Sequence, residues 1–165
     1  MRYSAEKNES VGPEAAALRE SLEAVVRGLG LGLIELDVFH GKARKGSPPT
    51  VQVRAIVYKP GNLGTDDCSR AHHAILPQLQ LAFPERDLSV EVSTPGINRL
   101  VKDGAELVHY QGRGLRCWRT DISDWSAGVL EAADGQGITI KGKEGTIRLD
   151  YEIIAKAGLD PSQEE

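Results

Sequence analysis

The chain has only two cysteines, and Cys68 and Cys117 stand far apart with no CxxC or Cys/His spacing around them. That excludes a zinc finger and a disulfide framework, and predicts two free, packed thiols. Also missing is any apolar run approaching the roughly 18 residues of a membrane-spanning helix. Residues 1–10 have no apolar core of the signal-peptide kind, so no export signal is expected and the cytoplasm is the expected location. There is no excess of positive charge: the formal net charge is −4, which excludes a protein that coats nucleic acid by charge alone. Catalytic signatures are equally scarce. There is no glycine-rich phosphate loop ending in Gly-Lys-Ser/Thr and no Gly-x-Ser-x-Gly, and Ser93 and Thr94 lack an evident base. Gly28, Gly30 and Gly32 follow a helical pattern, the wrong order for a dinucleotide fingerprint. No enzyme activity, metal or cofactor is therefore expected.

What is present is the composition of an ordinary soluble protein, 40% hydrophobic and 5% aromatic, long enough for one domain or two small ones. Charge is unevenly spread. Residues 1–90 carry 11 Lys/Arg and 11 Asp/Glu, leaving 9 Lys/Arg and 13 Asp/Glu in residues 91–165. Inside that acidic half, Arg99, Lys102, Arg113, Arg116 and Arg119 are opposed only by Asp103 and Glu106. Asp121, Asp124, Glu131 and Asp134 then follow with no Lys or Arg between them. A basic block followed by an acidic one suits either a partner of mixed character or a plain solvated surface.

Residues 1–12 read as a loose polar tail, and Pro13 suits the first position of a helix. Leu18, Leu22, Val25, Val26 and Leu29 recur at helical spacing, with Gly28 and Gly30 as the stop. Ile34, Leu36 and Val38 then alternate with Glu35, Asp37 and Phe39, and Val51, Val53, Ala55 and Val57 with Gln52, Arg54, Ile56 and Tyr58. Those alternations predict two strands. Lys42, Arg44 and Lys45, set among Gly and Pro, make 41–49 a mobile basic hairpin loop. Thr65 is the expected N-cap of a second helix, opened by Asp66 and Asp67 and buried through Cys68, Ala71, Ala74, Ile75 and Leu79. Pro77 predicts a kink or an early stop in it. His72 and His73 have no carboxylate or cysteine at ligand spacing and read as surface or packing residues.

A third strand is expected around Leu88–Ser93, then a short helix at Asp103–Tyr110. Gly114–Thr120, Ala127–Ala132, Gly137–Gly142 and Thr146–Asp150 follow as short strands, punctuated by Asp134-Gly135 and Glu144-Gly145 turns at the spacing of a small barrel. The predicted fold is α+β. A two-layer α-β-β-α-β domain spans 13–98, its three-stranded sheet covered on one face. A linker at 99–104 follows, able to act as a hinge, and an all-β barrel domain spans 105–160.

The joint between the two halves is the most informative segment. Val90 and Val92 alternate with Glu91 as in a half-buried strand, Pro95 presets the first corner of a turn, and Gly96 can take the positive φ of a type II second corner. In this order of elements, Ser93-Thr94-Pro95-Gly96-Ile97-Asn98-Arg99 resembles the RimP family of bacterial ribosome maturation factors. The resemblance runs from about Glu14 to Leu159. It includes Gly32–Asp37, the Thr65-Asp66-Asp67-Cys68 helix start, and Glu-Val-Ser-x-Pro-Gly-x-x-Arg at Glu91–Arg99. The family pattern has Asp before this Arg and Pro after it, where this chain has Asn98 and Leu100.

The resemblance implies a cytoplasmic, non-catalytic assembly factor that binds the small (30S) ribosomal subunit during late maturation. The implied partners are 16S ribosomal RNA and a small-subunit protein near the decoding centre, with no membrane and no small-molecule substrate. It also implies an Sm-like or SH3-like barrel, and makes Ser93, Pro95, Gly96 and Arg99 an interdomain signature. The residues themselves supply candidates for RNA and protein contact: Arg99, Lys102, Arg113, Arg116, Arg119, Lys141 and Lys143. Trp118 lies among them where a ring can stack, and Arg148 lies across a tight turn. An ideal strand puts Arg113 and Arg119 on one face and Arg116 and Trp118 on the other, which keeps the two sets off one ligand and favours Trp118 in the barrel core. A stand-alone RNA-binding module unrelated to ribosomes is the competing reading.

Overall fold

A computed structural model describes residues 13–42, 45–59 and 64–164. The expected tail at 1–12 and Arg44 of the basic loop lie outside the described residues. The architecture is α+β, with three α-helices and nine strands in two sheets among the described residues. The chain divides into two compact units, one from Val11 to Pro95 and the other from Gly96 onward. No helix among the described residues is long and apolar enough to cross a membrane.

The first unit runs α1 (Pro13–Arg27), β1 (Gly32–His40), β2 (Thr50–Tyr58), α2 (Thr65–Ala82) and β3 (Asp87–Ser93), with sheet order β1-β2-β3. β1 and β2 pair antiparallel, whereas β2 and β3 pair parallel, because α2 carries the chain back across the sheet between them. Leu22 and Val26 of α1 and Ala71, Ile75 and Leu79 of α2 meet Val51, Val53, Ala55 and Val57 of β2 in one fully buried cluster. α1 ends in a Schellman motif. Leu31 N–H donates to Val26 and Gly30 N–H to Arg27, with Gly30 at φ 80°, so Gly30 rather than Gly28 closes the helix.

Three local expectations shift by a residue or more. A bulge between Leu33 and Glu35 inserts an extra residue into β1, so Leu33 joins Leu36 and Val38 against the core cluster in place of Ile34. The buried guanidinium of Arg19 donates to the Leu33 carbonyl at that bulge, 3.3 Å away. In α2 the N-cap is Gly64, not Thr65, because the Asp67 carboxylate reaches back to accept from Gly64 N–H at 3.1 Å. Nor does α2 stop at Pro77. It continues to Ala82, with Pro77 and His73 both exposed, so the carbonyl that loses its partner lies on the wet side of the helix.

The second unit contains β4 (Leu100–Val101), α3 (Gly104–Leu107) continued by a 3-10 turn at Val108–Tyr110, β5 (Gly114–Arg119), β6 (Asp124–Ala133), β7 (Gly137–Gly142), β8 (Gly145–Asp150) and β9 (Ile154–Leu159). Sheet order is β4-β9-β5-β6-β7-β8, all pairs antiparallel. The pairing register points Leu115 and Cys117 of β5, Leu130 of β6, Ile138 and Ile140 of β7 and Leu149 of β8 into one fully buried face. β9 does not stand out in the sequence, because Ala155, Ala157 and Gly158 give it little β-propensity. Its place between β4 and β5 is what makes it a strand.

The joint is built differently from the expected type II turn. Gly96 does not take a positive φ; instead Arg99 N–H donates to the Gly96 carbonyl, so Ile97 and Asn98 are the turn corners. Segment 99–104, expected as a linker, carries β4 paired with β9 and the Asp103 side chain that caps α3 by accepting from Glu106 N–H at 2.8 Å.

Candidate nucleic-acid interface

The basic residues that the sequence groups together fall into two kinds: those engaged by carboxylates and those on an open face. Arg99 is the first kind. Both Nε and Nη2 donate to Glu106, whose side chain is 0% exposed while that of Arg99 is 12% exposed. Glu106 also accepts from Lys102 N–H at 3.1 Å and from the Tyr110 hydroxyl at 2.8 Å. A buried carboxylate needs this many donors to offset its lost hydration. Burial pushes the Tyr110 phenol well above its ordinary range, reinforced by the adjacent Glu106 charge. Arg99 therefore braces the start of the second unit from within.

Arg113 donates to Glu164 at 2.6 Å, and the same carboxylate oxygen takes Gly114 N–H at 2.9 Å. Burial pushes Glu164 upward, but these two donors outweigh it and hold the acid below its ordinary value. Arg119 grips Asp121 with two donors, at 3.0 and 2.6 Å, and also reaches Ser126. Arg148 does the same to Asp134 at 2.7 and 2.8 Å, and with the Gln136 and Gly137 amides holds that carboxyl far below its usual range. Four of the arginines singled out or flanking the candidate set are thus tied to acids of the chain itself.

Arg116 is different. On β5 it is exposed, with Leu115 and Cys117 buried on either side, and its guanidinium carbon sits 5.2 Å from the centroid of the Trp125 ring. Trp118, expected in the core, instead stands half-buried on this same outer face. It pairs across strands with Trp125 at a ring separation of 5.4 Å and an interplanar angle of 76°, an edge-to-face contact. The alternation on β5 explains this, since Cys117 between them is the inward residue and burial pushes its thiol up to about 12. Arg113 and Arg119 do not join this face, as strand geometry required.

Register extends the face across four strands. Leu100, Gly158, Arg116 and Ala127 form one cross-strand row; Lys156, Trp118 and Trp125 form the next. Lys141, opposite Val129, lies exposed on the next strand, β7, and Lys143 is exposed in the β7–β8 turn. Lys102 is exposed beside β4. Ser93 closes β3 opposite Ile56, and Pro95 follows half-buried. Trp125 and Lys156 escape a reading of the sequence. Trp125 had a signal, because it is as far from the β5–β6 turn as Trp118 is; Lys156 had none, since its strand is not legible.

No family model matches the chain. It is similar to three proteins, each named ribosome maturation factor RimP. Those of Borrelia turicatae (strain 91E135), Borrelia recurrentis (strain A1) and Borrelia hermsii (strain HS1 / DAH) are 30%, 29% and 29% identical over 131 residues. Each match covers 79% of this chain and 85% of the relative. With that identity spread over most of both chains, this protein belongs to the ribosome maturation factor RimP family.

Proposed function

We propose that the protein is a non-catalytic, cytoplasmic assembly factor that binds the small (30S) ribosomal subunit during its maturation, through 16S ribosomal RNA and a small-subunit protein. The observation that carries this reading is the extent of the match to RimP proteins. At 131 residues it is longer than either compact unit, so both units take part in it. The exposed cations of the second unit, Arg116, Lys141, Lys143 and Lys156, supply a physical means of meeting phosphates.

The second unit is read as an Sm-like or SH3-like small barrel. Its six-stranded sheet buries a complete apolar face, yet α3 has only four residues and cannot cover it. A sheet in that position buries its face by curling on itself, and the bulges at Trp118/Arg119 and Leu130/Ala132 are where it bends. No backbone pairing joins β8 to β4 among the described residues, so the barrel reading rests on the buried apolar face and the bulges rather than on a closed ladder.

Sedimentation with isolated small subunits, large subunits and assembled ribosomes over a salt series tests the functional reading. Selective, salt-sensitive association with the small subunit is expected. Equal association with every particle, or equal affinity for generic RNA, overturns it in favour of a stand-alone RNA-binding module.

A further inference from the structure

We propose that the outer face of β9, β5 and β6 is a stacking platform for an unpaired nucleobase of single-stranded RNA, with Trp125 and Arg116 holding the base and Lys156 a neighbouring phosphate. This rests on the assembly-factor reading and names the class of RNA that the second unit takes.

Two observations converge on this face. Trp125 ends its row on β6 with 42% of its surface exposed, and its ring packs edge-to-face with Trp118 at 76°. A ring held in place loses little freedom when a base stacks on it. Arg116 lies over the same ring, and a guanidinium plane can extend the stack while its N–H groups reach a phosphate oxygen. Gly158, between Leu100 and Arg116 in the row, has no side chain, and a Cβ there would sit 3.5 Å from Leu100 and 3.8 Å from Arg116. Those are ordinary contact distances, and Gly158 is itself buried, so the Leu100 and Arg116 side chains close over it.

Charge selects the occupant. Arg116 and Lys156 carry no ion pair among the described residues, in contrast to Arg99, Arg113, Arg119 and Arg148. The two rows contain no carboxylate. Asp160, whose carboxylate feels the Arg116 charge, is engaged by Ser162 at 2.6 Å and by Gln163 at 3.2 Å. Rings beside cations that make no ion pair suit a base and its phosphates better than a peptide anchor. A duplex offers no base face, because its bases are stacked on one another.

The test is quenching of tryptophan fluorescence by a mixed-sequence single-stranded RNA of about ten nucleotides, a length within the usual site size of small β-barrels. A duplex of the same length is the comparison. Single-strand quenching is expected, with weaker binding to the duplex. Trp125→Ala should weaken single-strand binding about tenfold, from the loss of one stacked base, with the salt slope unchanged. Trp125→Phe should restore most of it. Arg116→Ala should weaken binding and reduce the salt slope by about 0.7, the share of one phosphate on a single strand. Equal binding of duplex and single strand, or indifference to Trp125→Ala, overturns the platform. If the wild-type protein still sediments selectively with small subunits in that case, the assembly-factor reading stands and only the stacking site fails. Loss of subunit binding in Trp125→Ala without any quenching by the oligonucleotide assigns the face to a protein and likewise overturns the proposal.

Discussion

Arg99 and Glu106 form a two-pronged ion pair in which the carboxylate is wholly buried and the guanidinium nearly so. An arginine that ends a Pro-Gly turn looks, along the chain, like a residue poised for phosphate. Its partner seven residues on makes it a structural member instead. Arg99→Ala leaves Glu106 buried with its charge uncompensated, and should cost about 3–5 kcal/mol, read from urea unfolding of the full chain. The salt slope of subunit binding should stay at the wild-type value under conditions where the variant is folded, because no phosphate contact has been removed.

Gly128 of β6 lies against the backbone of β7. A Cβ there would stand 2.6 Å from the Lys141 carbonyl oxygen and 2.9 Å from Gly142 nitrogen, atoms that cannot move without breaking the ladder. Gly128→Ala is expected to destabilise the second unit by about 1–3 kcal/mol through this overpacking. A lowered thermal midpoint, with spectra of the first unit unchanged, is the check.

Pro77→Ala should have the opposite sign. Pro77 is exposed, it occupies the interior of α2, and it removes a backbone donor that alanine would restore. The substitution is expected to stabilise the protein by about 1–3 kcal/mol, measured by denaturant unfolding.

Asp67 couples the start of α2 to pH. The Gly64 amide, then Lys59 at 3.2 Å, hold its carboxyl below the ordinary 3.8. A carboxylate with a depressed folded-state pKa contributes stability that is fully present above its unfolded value. That contribution is lost as pH falls through the folded one. Hydrogen-exchange protection of the Gly64 amide should therefore hold at neutral pH and fall below about pH 4, the ordinary carboxylate value. Asp67→Asn should show reduced protection at neutral pH and no such acid step.

Much of the fold was legible because periodicity is local. Val51, Val53, Ala55 and Val57 alternate as a strand with one buried face, and Leu22 and Val26 recur as a helix with one buried stripe, whatever lies elsewhere in the chain. The turn residues at Asp134-Gly135 and Glu144-Gly145 likewise separate β6, β7 and β8 where expected. The bulge in β1 was not legible, since it is defined by the register against β2 and by the Arg19 donor that meets Leu33. β9 was missed for the same reason: an Ala/Gly-rich segment becomes a strand when β4 and β5 flank it.

By itself the sequence determined the helices and most strands, the parity that separates Arg116 and Trp118 from Arg113 and Arg119, and, through its joint motif, the family. Those features depend on spacing along a few residues, which the backbone geometry of helix and strand converts directly into faces. Only the tertiary structure decided which partner each cation meets. Arg113 meets Glu164 from the far end of the unit, Arg148 meets Asp134 across a hairpin, and Lys156 comes beside Trp118 through strand pairing. Whether a charge is neutralised or left facing solvent depends on which residues folding brings within hydrogen-bond reach, and sequence distance does not encode that.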